Sequence, residues 1–90
     1  MAVHWVNYDL NTTGQKYEAL ITYLKSHRSW ARPAKSSYFV DTDLTAKQLR
    51  DGISEIVDSN DAVAVVTVTG QSWATHGVSK EVNDWIRNHL

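Results

Sequence analysis

Apolar and polar positions along this chain repeat with two different periods, and the switches between them mark its elements. Residues 2–10 are rich in β-branched and aromatic side chains and read as a strand. Asn11-Thr12-Thr13-Gly14 supplies turn and capping residues. From Gln15 the period lengthens: Tyr17, Leu20, Ile21 and Leu24 form one helical stripe, which gives out near residues 26–28. Residues 29–35 are weakly extended, and Pro33 confines them to a sheet edge or a hairpin loop. Residues 36–40 read as a firm strand. Thr45 and Gln48 then stand at capping-box spacing and open a helix with Leu49, Ile53, Ile56 and Val57 on one face. Gly52 in that helix costs roughly 1 kcal/mol relative to Ala, which points to close packing, expected against the sheet. Residues 62–69 are apolar on both alternating sets, and residues 70–77 form a loop or a short extra strand. Ser79 caps a last helix carrying Val82, Trp85, Ile86 and Leu90.

The order β-α-β-β-α-β plus a C-terminal helix predicts an α+β, ferredoxin-like sandwich with a four-stranded antiparallel sheet. Residues 1–90 make one domain, with a core over 2–69 and an appended loop and helix over 70–90. Two helices cover one face of such a sheet. A sheet wetted on its other face alternates cleanly, yet both residue sets of the first and last strands are apolar or aromatic. The second face therefore needs cover. The C-terminal helix is long enough for part of it, so a homodimer through the open sheet face is expected.

Composition narrows the chemistry. There is no cysteine, which excludes a disulfide framework, a thiolate zinc site and a Cys nucleophile. No run approaches a membrane span and the N-terminus lacks a signal-peptide pattern, so a cytoplasmic protein is expected. The net charge of −1 argues against a protein that lives by gripping nucleic-acid backbone. The charge is unevenly spread: residues 25–40 hold Lys25, Arg28, Arg32 and Lys35 with no acid, whereas residues 41–61 are acidic. A solvated loop explains the basic segment most simply. Its Trp30, between Arg28 and Arg32, nevertheless interleaves a ring with guanidinium groups as nucleic-acid contacts do.

Asp9 is the carboxylate at the exit of the first strand. By strand parity it shares a face with Trp5 and Asn7, while His4, Val6 and Tyr8 point the other way. If its face is the open one, a two-fold axis brings two Asp9 side chains together, to share a proton or to bind a hard cation such as Mg2+. The simpler alternative makes Asp9 a cap for the following turn. Asp41 and Asp43 share a side but precede a helix N-terminus, where acids are stabilised by the helix dipole. His4, His27, His76 and His89 have no metal-ligand spacing, and no phosphate-binding or nucleophile motif is present.

Tyr8-Asp9-Leu10, residues 35–40 (KSSYFV), Ile56-Val57-Asp58 and residues 61–66 (DAVAVV) together resemble a known pattern. It is similar to the small CRISPR-associated spacer-acquisition endonucleases and their relatives, the virulence-associated protein D ribonucleases. Closer still are the uncharacterised SinR-like proteins. The resemblance covers residues 3–69. It implies a ferredoxin-like dimer packed through sheet faces, with Mg2+-dependent phosphodiester cleavage, of RNA before DNA, or a scaffolding role on nucleic acid. By position, Asp9 matches the strand-end aspartate that holds the metal, and Ser37 and Phe39 match structural positions. Arg28, Trp30, Arg32 and Lys35 would then guide nucleic acid. The chain departs from the family after Asp9, where Lys16 stands in place of a basic cluster. That loss removes much of the counterion-release contribution to backbone binding. The alternative function is a catalytically inert dimeric interaction or regulatory module that keeps the nuclease fold.

Overall fold

The computed structural model describes residues 2–11 and 15–90. Their elements are β1 (Ala2–Asp9), α1 (Gln15–Lys25), β2 (Ser29–Ala34), β3 (Ser37–Thr42), α2 (Ala46–Ser54), β4 (Ala62–Thr67) and α3 (Lys80–His89). The turn read at residues 12–14 lies outside the described residues. The four strands form one antiparallel sheet in the order β2-β3-β1-β4, the ferredoxin-like arrangement, with α3 as an addition. Among the described residues, no helix is long and apolar enough to cross a membrane.

Strand parity builds the main core. Val6, Tyr8 and Leu10 point to one face with Tyr38 and Val40 of β3, and Leu20, Leu24, Leu49 and Ile53 of α1 and α2 close over them. His4 lies on the same side and is buried with both ring nitrogens engaged. Its Nε2 is 2.7 Å from the Leu44 carbonyl and its Nδ1 is 3.0 Å from the Thr67 hydroxyl. A carbonyl only accepts, so Nε2 carries the proton and Thr67 donates to Nδ1.

Three boundaries move from the sequence expectation. β3 runs on to Thr42, because Asp41 and Thr42 pair with Val3 and Ala2. α2 stops at Ser54, before Ile56 and Val57, which pack on the core from the following turn instead. Residues 70–77 form no strand, and Gly70 and Gly77 sit at φ of 74° and 72°, the left-handed region that suits glycine. The capping box of Thr45 and Gln48 is present. Gly52, however, serves a different contact from the one expected. A Cβ there would strike the ring and hydroxyl of Tyr23, so the glycine lets α1 approach α2 and not the sheet.

The second face of the sheet is half covered. α3 packs on the β2 side, with Ile86 buried beneath it and the Trp85 indole N–H donating to Ser29 Oγ at 2.7 Å. The Trp85 ring stacks on Phe39 of β3 at 6.1 Å, and Phe39 stacks on Trp5 of β1 at 6.4 Å. This aromatic row begins under α3 and ends in the open, where Trp5 is 38% exposed. Beyond it lies Val66 of β4, paired with Trp5 and 52% exposed.

Candidate functional site

Asp9 sits where parity places it, exposed on the half of the second face that α3 leaves open. The register sets Trp5, Asn7 and Asp9 opposite Val66, Ala64 and Ala62. A shallow hollow of about 260 Å3 at this end is lined by Asn7, Tyr8, Asp9, Ala62, Val63 and Ala64. Its polar groups are one carboxylate and one amide, the rest being apolar or aromatic. Among the described residues the Asp9 carboxylate has no hydrogen bond or ion pair, and residues 12–14 of the turn it would cap lie outside them. No group of three metal-ligating side chains occurs among the described residues either. Mg2+ binds through one or two carboxylates and completes its shell with water and substrate phosphate. A single Asp9 therefore fits the smallest version of such a site, in which the remaining oxygens come from outside the protomer.

The carboxylate that organises this end of the molecule is Asp61. Its Oδ1 accepts the Asn11 N–H at 2.7 Å and its Oδ2 accepts the Asp58 N–H at 2.8 Å. Asn11 also donates from its side-chain amide to the Asn60 carbonyl. The exit of β1 is thereby fastened to the turn before β4. The sequence signals only a turn at 59–61, since a partner fifty residues away leaves no local pattern.

The basic and aromatic residues of 28–35 do not converge on Asp9. Arg28 stands just before β2, beside Asp41, which pairs with Val3. Asp9 lies six residues further along β1, about 20 Å away at the rise of a strand. Arg28 is also engaged. It donates to Asp41 at 3.3 Å and to Asp43 at 2.7 Å, and its hydrogen bond and charge hold the Asp43 carboxyl below the usual range. The buried Asp41 and the exposed Asp43 thus grip one guanidinium, a role that their place before α2 does not reveal.

Trp30 and Arg32 face the helix side of the sheet edge. Lys25 Nζ is 4.6 Å from the Trp30 ring centre, and the Arg32 guanidinium lies 5.4 Å from that of Tyr38. Arg32 also donates to the Lys35 carbonyl at 2.7 Å. Lys35 lies in the β2–β3 turn, where the Ser36 carbonyl accepts the Tyr8 N–H at 3.1 Å. The turn is therefore at Asp9's end of the sheet. Arg32, Lys35, Tyr17, Ile21 and Ser36 line a separate hollow of about 350 Å3 beside α1. Burial of Tyr8 in the core pushes its hydroxyl above the ordinary pKa, and the Arg32 charge offsets part of the shift.

Compared with protein-family models, with curated proteins and with solved structures, the chain finds a match in none of the three.

Proposed function

We propose that this protein is a homodimeric interaction module that self-associates along the β1–β4 side of its sheet. The observation that carries this reading is the uneven cover of the second face. α3 shields Phe39 and the β2 side, whereas Trp5 and Val66 lie side by side in solvent at the end of the same apolar row. Large exposed apolar groups placed contiguously mark interaction surfaces more often than isolated ones do. Sedimentation velocity over a range of concentrations should show a monomer–dimer equilibrium. Val66→Lys should shift it toward monomer while circular dichroism stays unchanged. A wild-type protein that sediments as a monomer throughout would overturn the reading.

A second reading, Mg2+-dependent cleavage of RNA, is favoured by Asp9 alone. It is an exposed carboxylate on the same uncovered face, without a partner among the described residues. In this reading Asp9 holds the cation and, with it, activates water, while Lys35, in the turn at the same end of the sheet, attracts phosphate. Arg28 has no part in it, being occupied by two carboxylates at the other end of the sheet. Purified wild type and Asp9→Asn should be compared on labelled RNA and DNA with Mg2+. A loss of about a hundredfold or more in the variant is the effect expected for removing a metal ligand and its activated water. Equal rates would assign any cleavage to another source and leave the interaction module.

A further inference from the structure

We propose that two copies of this chain join edge to edge through β4, running antiparallel about a two-fold axis at Val65. The proposal rests on the self-association above and specifies its register. It starts from the two edges of the sheet, β2 and β4, which differ sharply.

The β2 edge is blunted. It contains Pro33, which has no N–H to offer, a register shift between Ala31 and Ala34, and the charged Arg32, with Arg28 and Lys35 at its flanks. These are the devices that keep an edge strand from pairing with another chain. Within its own length β4 has none of them, and the Asp61 at its flank is turned to the Asn11 and Asp58 N–H groups. The β4 sequence, AVAVVT, carries no charge and no proline, and its register with β1 is unbroken from Ala62 to Thr67.

The hydrogen-bond alternation identifies what this edge offers. Val68 N–H donates to the Val3 carbonyl at 2.9 Å, which makes that pair hydrogen-bonded. Antiparallel pairs alternate, so Ala62, Ala64 and Val66 direct their backbone groups toward β1. Val63, Val65 and Thr67 direct theirs outward. Among the described residues nothing accepts from these three N–H groups or donates to their carbonyls.

A second copy of the same strand is complementary to this row. With Val65 opposite the partner's Val65, Val63 stands opposite the partner's Thr67 and the reverse pair follows by symmetry. All three outward N–H groups and all three carbonyls then find partners. Ala64 falls beside the partner's Val66 in the closely spaced pair, so a small side chain meets a larger one. Two-fold pairing sets like charges near one another, and a strand without charges incurs no such repulsion. The same operation on β2 would bring arginines together. The product is an eight-stranded sheet with α1 and α2 of both copies on one face, and α3 and the Trp5–Val66 patch of each copy on the other.

This register has a consequence for Asp9. Asp9 pairs with Ala62, three residues from the axis, so the two carboxylates are offset by six residues along the strands and three strand spacings across. They stand roughly 25 Å apart. One cation shared between them does not fit this dimer.

Backbone amide exchange of the wild-type chain at low and high protein concentration tests the register. The amides of Val63, Val65 and Thr67 should slow by about tenfold or more as dimer forms, while those of Ala62, Ala64 and Val66 are protected at both concentrations. A dimer seen in sedimentation whose Val63, Val65 and Thr67 amides exchange freely would overturn the edge register and leave self-association standing. A monomer at every concentration would overturn both. Because the chain has no cysteine, mixed Ala64→Cys and Val66→Cys proteins give a second measurement. Disulfides should join one variant to the other well beyond the random share, and a random distribution would count against the register.

Discussion

At the scale of single residues, most polar groups that looked chemically suggestive are held by neighbours. His4 is a satisfied core histidine, Arg28 is clamped by Asp41 and Asp43, and Asp61 ties two loops together. Among the described residues Asp9 is the exception, and its face was legible from parity alone, because alternation along a strand needs no tertiary information. The tyrosines supply a prediction in pH. Burial raises the pKa of Tyr8 and of Tyr23 above the ordinary value of 10.0. Near and above that pH the unfolded chain loses these protons before the folded one does. The native state then binds more protons, so stability falls as pH rises. Urea midpoints should hold steady on the neutral side and decline from about pH 10 upward. Tyr8→Phe should flatten part of that decline, and Tyr23→Phe a further part.

At the scale of elements, local signals placed each strand and helix, while their ends were set by contacts. The capping box at Thr45 and Gln48 was readable because both partners lie within one turn. β3 outran its apolar pattern because Asp41 and Thr42 are paired across the sheet, Asp41 also being neutralised by Arg28. Such pairing is invisible in a window of ten residues. Gly52 was readable as a site of close approach, but the approaching group, Tyr23 of α1, was not. A double-mutant cycle follows at this contact. Gly52→Ala should destabilise the wild type, since the new methyl group displaces Tyr23. In a Tyr23→Ala background the same change should stabilise by up to about 1 kcal/mol, the helix-propensity gain of Ala over Gly. Additive effects in thermal or urea unfolding would count against a direct Gly52–Tyr23 contact.

At the scale of the whole molecule, one sheet carries two unlike faces and two unlike edges. The ferredoxin-like order puts α1 and α2 on one face, and α3 packs on the other over β2 and β3, where Val3 at the start of β1 is buried as well. Trp5, Asn7 and Asp9 of the first strand are left with the last strand on the open side, next to a β4 edge whose own sequence holds no charge and no proline. Self-association rests on the asymmetry of the faces and its register on the asymmetry of the edges, and the register leaves the Trp5–Val66 patch of each copy open. By itself the sequence determined the element order, the core stripes and the face on which Asp9 lies, since periodicity and capping act over a few residues. It also showed apolar residues on both sides of β1, from which cover of the second face was expected. Only the tertiary structure decided how far α3 reaches, that Arg28 is spent on two acids, and which backbone groups of β4 point into solvent. Those outcomes depend on pairings between residues far apart in the chain. Their physical basis is distance in space, which a linear pattern does not record.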